Sequence, residues 1–385
     1  MSVFLITLSV YCLCLLLYGS MELRFGLNKL PILLNESQPT LDTVRELVSV
    51  IMVVKDEEKH IESTVKCMLN QDYPSLEIIV VDDRSADKTP NILKKRAKKY
   101  SVLKLLTIQT LPEGWLGKNH AMFQGARLAK GKWLLFLDGD VFFSPKAISL
   151  GMNYMQRERI NNLTLIPEFK RKNFWLDALI SSGALAFYFK LKPWRAAQIN
   201  PNYYAGIGAY NLFSKENYFK FNGHQSFPMC ILDDIKLGKQ LKVYGAKQRC
   251  LDGAGLISLN WYDSVSEMVY GTEKNSFAHC RFNLLRLAGE SILGLCLFLW
   301  PIIALFVMES NMKWLNLVSI LTTMRVYAFY AKLKNLSAWQ MLAYPFGVVV
   351  GTYAWWRSAI RILKARGVCW RDTFYSLSEL KKDLL

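Results

Sequence analysis

Apolar and polar positions along this chain fall into blocks whose period changes repeatedly. Val48 to Val54 is a β-branched run and reads as a strand. Ile61, Val65, Met68 and Leu69 recur at helical spacing, so a helix comes next. Leu76 to Val81 repeats the buried-strand pattern and ends at Asp82-Asp83-Arg84-Ser85. Pro90 to Tyr100 reads as a strongly basic helix and Leu103 to Ile108 as another strand. A Pro/Gly-rich loop, LPEGWLG, then leads into a helix from Asn119 to Lys130. Trp133 to Leu137 is an apolar run that passes directly into Asp138-Gly139-Asp140. Strands alternating with helices predict a parallel sheet with right-handed crossovers. Runs that are apolar at every position predict strands covered on both faces. The expected fold class is therefore α/β, with a mostly parallel central sheet and flanking helices.

That topology gathers acids. Asp56 and Glu57, Asp82, and Asp138 with Asp140 all come directly after strands and are expected at one carboxyl edge, where open α/β sheets bind ligands. Residues i and i+2 of a strand point the same way, so Asp138 and Asp140 stand side by side. Such carboxylates repel unless a cation lies between them, and a divalent ion carrying phosphate oxygens is the expected occupant. Lys118 stands at a helix entrance, where a cation opposes the dipole, so its expected task is to meet a phosphate or nucleotide. Ile231, Ile235 and Leu241 mark a further helical face, with Asp233 and Asp234 at its start. His224 lies in an Asn-Gly-His turn and is read as an acceptor or diphosphate contact. Asp83 and Asp87 read as turn or cap residues, Glu58 and Lys59 as solvated, and His120 as a packing residue.

Composition brings in the membrane. Hydrophobic residues make up 52% of the chain, and 48 Lys and Arg against 31 Asp and Glu leave a charge of +17. This balance fits an anionic membrane surface and phosphorylated substrates, and no nucleic-acid motif is present. The eight cysteines are scattered without a C-x-x-C pair, which argues for a reducing compartment. Residues 1–21 are uncharged and apolar enough for an uncleaved transmembrane anchor, and Arg24 and Lys29 place the downstream side in the cytoplasm. Residues 22–46 read as a linker and 47–283 as the catalytic domain. Within that domain, 174–192 is apolar with basic flanks and reads as an interfacial helix or hairpin. Residues 284–360 hold two or three membrane segments, at Leu287–Met308, Leu315–Leu333 and Ala338–Trp356. The basic residues after them make 361–385 a cytoplasmic tail. The expectation is a multi-pass protein of the cell membrane.

Several groups of residues together carry a resemblance: VVKDEEKHI, VVDDRSADKT, GWLGKNHAMFQGA, LDGDV, GIGAYNLFSKENYFKFNGHQSF and LDDIKLGKQLKVYG. In this order they resemble the family-2 inverting glycosyltransferases of GT-A nucleotide-sugar fold, over roughly residues 48–260. With the apolar ends and the C-terminal WRDTFYSLSEL, the chain looks like the membrane-bound enzymes that glycosylate carotenoid or hopanoid-type lipids, the 4,4′-diaponeurosporenoate glycosyltransferases among them. The resemblance implies a nucleotide-sugar donor, UDP-linked, a membrane lipid acceptor, and Mg2+ or Mn2+. It implies that Asp82 and Asp56 or Glu57 contact the nucleotide, Lys118 the ribose and phosphate, and Asp138 and Asp140 the metal and diphosphate. Asp234 takes the catalytic-base position. The family's usual Glu-Asp is Asp233-Asp234 here, and its Asn-Glu-Glu is Asp56-Glu57-Glu58. Lys274 and Arg281 are the expected extra cations for the leaving diphosphate. The Q-x-x-R-W signature of processive synthases is absent. Two other readings stand beside this one: a polyprenyl-phosphate glycosyltransferase, and a non-catalytic nucleotide-sugar-binding membrane protein.

Overall fold

The computed structural model describes residues 2–36, 46–309 and 312–385. Contacts divide it into two units, each assembled from separated stretches of chain. One comprises Leu30–Lys170, Pro193–Trp261 and Gly367–Leu385; the other comprises Met1–Lys29, Arg171–Lys192 and Tyr262–Arg366.

The first unit is built on strands β1 (Val48–Val54), β2 (Leu76–Asp83), β3 (Leu103–Ile108), β4 (Trp133–Asp138) and β5 (Val141–Phe143). Next come β6 (Asn162–Ile166), β7 (Glu168–Phe169), β8 (Asn211–Ser214), β9 (Gln248–Asp252) and β10 (Ile257–Leu259). Seven of them form the central sheet in the order β3-β2-β1-β4-β8-β6-β9. All neighbours pair in parallel except β8, which runs antiparallel to β4 and to β6. A smaller sheet orders β5-β10-β7.

The inner strands β1, β2 and β4 are mostly apolar because both faces are covered. Val48, Val50, Met52 and Val54 of β1 enter one core, with Trp133, Leu135 and Leu137 of β4. The alternate residues Ile51, Val53, Leu134 and Phe136 enter the core on the other face. Burying each such side chain contributes about 1.5–3 kcal/mol. The resulting register sets Val54 of β1 beside Asp82 and Val53 beside Asp138. The predicted acids are therefore delivered to one edge.

Several boundaries differ from the sequence expectation. The N-terminal helix runs from Ser2 to Asn28, past the expected anchor end at 21, as no proline occurs before Pro31. The expected linker is partly structured: Ile32 bridges to Asp252, and Leu33 is buried in the core. Its residues 37–45 lie outside the described residues. The C-terminal stretch is not a free tail. It forms a hairpin, β11 (Gly367–Trp370) with β12 (Thr373–Ser376), inside the first unit. Residues 262–283, expected in the catalytic domain, belong to the second unit.

The second unit is helical. Residues 174–192, expected as an interfacial segment of the catalytic domain, form one uninterrupted helix, Phe174–Leu191, in this unit and no hairpin. Asn173 caps it by accepting from the Leu176 amide at 3.0 Å, and Tyr327 Oη reaches Ser182 Oγ at 3.0 Å. Among the described residues, Val3–Asn28 and Phe174–Arg195 are long and apolar enough to cross a membrane. The expected segment at 287–308 is broken into Leu284–Phe298 and Trp300–Val307, bent by 52°. Pro301 explains the break, since it lacks an amide hydrogen and crowds the preceding turn. The helices Lys313–Leu333 and Tyr344–Ala365 fall short on hydropathy, the first carrying Arg325 and buried Asn316, Ser319 and Thr323. Membrane association rests on the apolar helices.

Candidate active site

The carboxyl edge of β1, β2 and β4 carries the acids, and a glycine loop brings the remaining ones to it. Residues 205–210, AGIGAY, run between the end of β4 and the helix Asp233–Val243. Gly208 accepts from the Asp138 amide at 3.0 Å and donates its own amide to Asp234 Oδ2 at 2.9 Å. Packing here is close at both glycines. A Cβ on Gly206 would lie 1.9 Å from the Asp234 carbonyl oxygen, and one on Gly208 2.4 Å from Asp138 Oδ2. The glycines are thus what allows Asp138 and Asp234 to share one site.

Lys118 neutralises the resulting cluster. It lies in the first turn of the helix Gly117–Leu128. Its Nζ is 3.0 Å from Asp138 Oδ1 and 3.2 Å from Asp233 Oδ1. Burial pushes the ammonium down, but Asp138, Asp233 and Asp234 outweigh it and hold the group charged above its ordinary range. Burial also opposes ionisation of Asp233, yet Lys118 and His224 draw its carboxyl below the usual range. Asp234 is pushed the other way, upward, by burial and then by its neighbour Asp233. Adjacent carboxylates so displaced suit separate tasks: Asp233 stays an anion, while Asp234, largely but not fully buried, is suited to take a proton near neutrality.

Asp140 is raised to about 6 by burial and then by Asp138. Burial raises Glu57 as well, with Arg371 opposing and Asp87 and Asp138 adding to the shift. Asp82 is buried and raised by desolvation, against hydrogen bonds from Ser85. Asp56 is exposed and adopts φ +54, and its carboxylate accepts from the amides of Ala86 and Asp87 at 2.7 and 3.3 Å. It therefore braces the loop after β2. Asp87 accepts from the Thr89 and Glu58 amides, and Asp83 holds Arg84 in a two-point ion pair. His120 packs edge-on to Trp115.

His224, read from sequence as a substrate contact, is fully buried. Asn222 and Gly223 both have positive φ, and a Cβ on Gly223 would strike the Tyr218 ring at 2.1 Å. This tight turn drives the imidazole inward. Nδ1 lies 2.8 Å from Tyr218 Oη, and Nε2 lies 3.9 Å from Asp233 Oδ2. His224 thus stands behind Asp233 and positions it.

The hairpin β11–β12 is the part of the site that sequence reasoning missed. Tyr375 Oη accepts from the Gly117 amide at 3.1 Å, and Arg371 Nη2 lies 3.6 Å from Glu57 Oε1. Lys274 and Arg281, the cations expected from the sequence, belong to the other unit. The missed signal was local. Val-Cys-Trp and Thr-Phe-Tyr flank Arg371-Asp372, which is strand-turn-strand chemistry.

Residues 49–218 match the model of the family Glycosyl transferase family 2. The chain is 25% identical over 361 residues to the 4,4′-diaponeurosporenoate glycosyltransferase of Staphylococcus aureus, covering 88% of this chain and 91% of that one. It is 29% identical over 147 residues to the beta-monoglucosyldiacylglycerol synthase of Nostoc sp., covering 37% of this chain and 31% of that enzyme's length. Among solved structures, the mannosyltransferase PcManGT from Pyrobaculum calidifontis, in complex with GDP-Man and Mn2+, superposes with a TM-score of 0.54. That pair shares 15% identity and covers 93% of this chain and 98% of the other, a likeness of fold. Residues 49–218 are thus similar to a family-2 glycosyltransferase domain, in an α/β unit of GT-A-like fold, and the match supports an enzymatic, transferase activity. Across the full chain it is related, distantly, to the diaponeurosporenoate glycosyltransferases.

Proposed function

We propose that the protein is an inverting glycosyltransferase that moves a sugar from a nucleoside-diphosphate donor, UDP-linked, to a membrane lipid of carotenoid or terpenoid type. The observation that carries this is the bridge at Gly208, which joins the base candidate Asp234 to Asp138 at the sheet edge. A lipid acceptor is supported by the apolar helices and by the full-length likeness to an enzyme of carotenoid glycosylation. The catalytic domain faces the cytoplasm, as the basic residues flanking the apolar segments favour.

In this reading Asp234 accepts the proton of an attacking hydroxyl. The hydroxyl oxygen joins the anomeric carbon from the face opposite the nucleotide, and the diphosphate departs with the electrons of the broken bond. A carboxylate acceptor arrives ionised and needs no base. Lys118 holds Asp138 and Asp233 in place throughout. Asp82 and Glu57 border the nucleotide.

Asp138 and Asp140 fit a divalent cation, since burial and the neighbouring Asp138 oppose ionisation of Asp140 without one. Among the described residues no three His, Cys, Asp or Glu side chains gather as a metal cage. A pair of carboxylates is enough for Mg2+ or Mn2+ when substrate phosphates complete the shell. When bound, the ion would neutralise the departing diphosphate.

The test uses membranes containing the protein, radiolabelled UDP- and GDP-sugars, Mg2+ or Mn2+, and a total lipid extract with an added apocarotenoid acid. A lipid product heavier by one sugar, of inverted anomeric configuration and lost in Asp140→Ala, is expected. An acid-labile sugar phosphate would shift the acceptor to polyprenyl phosphate. Transfer that persists in both Asp140→Ala and Asp234→Asn would remove this site from the reaction.

A further inference from the structure

The C-terminal hairpin is tied at several points to the elements that carry the acids. Tyr375 is buried, and its hydroxyl takes the amide of Gly117, the residue before Lys118. Arg84, paired with Asp83, stands beside that helix entrance. Lys55, directly after β1, donates to the Arg371 carbonyl. Beyond the hairpin, Asp383 accepts from the Met229 amide at 2.7 Å, and Lys236 donates to the Leu384 carbonyl at 2.7 Å. Lys236 lies one turn into the helix that starts with Asp233 and Asp234.

The hairpin turn consists of Arg371 and Asp372, at φ +48 and +62. A two-residue turn with both φ positive matches the twist of paired strands and is usually built from Gly, Asn or Asp. An arginine is an unfavourable choice for that backbone, so its side chain needs another justification. The turn sets the guanidinium 3.6 Å from Glu57, too long for a hydrogen bond, with about a third (35%) of the side chain exposed. Lys118, in contrast, is committed to Asp138 and Asp233 and is only 16% exposed. The rim of the acid cluster therefore carries a partly open fork of donors loosely held by one carboxylate. A diphosphate brought to Asp138 and Asp140 offers that fork more charge and bidentate geometry.

We infer that Arg371, presented by the C-terminal hairpin, is the protein's cationic contact to the donor diphosphate, exchanging Glu57 for phosphate when the donor binds. The inference rests on the nucleotide-sugar reading of the same site. The contact strengthens as charge builds on the leaving diphosphate, so it acts on kcat as well as on donor binding.

The experiment measures binding of UDP, UMP, GDP and GMP to the full-length protein in detergent with Mn2+, for wild type, Arg371→Gln and Arg371→Lys. Melting temperatures identify any variant that has lost its fold. Tyr375→Phe, which keeps the arginine and removes one anchor, serves as the control for hairpin placement. Arg371→Gln is expected to weaken the preferred diphosphate about 10- to 100-fold and to leave its monophosphate within about threefold. Arg371→Lys is expected to recover part of the loss, and kcat for sugar transfer to fall in Arg371→Gln. Equal losses for diphosphate and monophosphate would reduce Arg371 to a structural role and overturn the inference, as would unchanged diphosphate binding. Wild type that binds neither diphosphate would overturn the donor reading itself, whereas intact wild-type binding with a silent Arg371→Gln would overturn this inference alone.

Discussion

Lys118 and the acids around it set the expectations at the residue scale. Removing the ammonium leaves Asp138 and Asp233 facing each other without a counter-charge. Lys118→Met is therefore expected to lose about 3–5 kcal/mol of stability, measured by denaturant unfolding, and Asp233→Asn added to it should restore part. The proton inventory gives a second expectation. Asp234 is raised by burial and Asp233, so the rising limb of kcat/KM against pH should lie above the ordinary carboxylate range. Asp233→Asn should move that limb to lower pH. Asp234→Asn should lower kcat for a hydroxyl acceptor about 10²–10⁴-fold while nucleotide binding persists. Asp140 yields a third. Its folded value of about 6 exceeds the unfolded one of about 4, so the cost of ionising it is full above pH 6 and fades as pH falls from 6 toward about 4. Asp140→Asn should raise the melting temperature in EDTA at pH 7.5, and the gain should shrink toward pH 5.

At the scale of elements, the glycine loop and the hairpin do the assembling. Gly206→Ala would drive a Cβ against the Asp234 backbone carbonyl, which cannot yield without moving the helix, so loss of stability is expected in thermal melts. Gly208→Ala meets the tip of the Asp138 side chain instead, which can rotate away. That variant should fold, with kcat lowered by about 10²-fold through misplacement of the acids, as initial-rate kinetics would show. Strands β1, β2 and β4 were legible because an unbroken apolar run needs no distant information to be recognised. Their terminal acids were legible for the same reason. The Gly208 bridge was not: residues 203–213 read as small and flexible and then apolar, and the resemblance placed them near donor sugar and acceptor without naming a partner for Gly208. The burial of His224 was equally hidden, because a turn histidine points wherever its neighbours leave room.

At the scale of the whole molecule, the chain passes back and forth between an α/β unit and a helical unit. Its last stretch returns to the α/β unit, where Lys55 and Arg371 meet across 316 positions. A chain ended at Arg366 should still resist carbonate extraction from membranes, because its apolar helices remain. It should no longer bind nucleotide, and equilibrium dialysis with labelled UDP would show this. The basic residues from Arg357 to Arg371 had pointed to a cytoplasmic tail. Charge counting places a segment on one side of a bilayer and does not register that it pairs as a hairpin and buries Tyr375. Likewise an apolar stretch such as Phe174–Leu191 looks alike whether it faces lipid, a domain core or other helices.

From the sequence alone came everything governed by short-range period and terminal chemistry: the α/β alternation, the apolar segments, and the acids at strand ends. Tertiary structure decided the partnerships. Asp234 meets Asp138 through a glycine, His224 lies behind Asp233, and Arg371 stands at Glu57. Such contacts depend on which surfaces close on each other across long loops, and no local repeat records that choice.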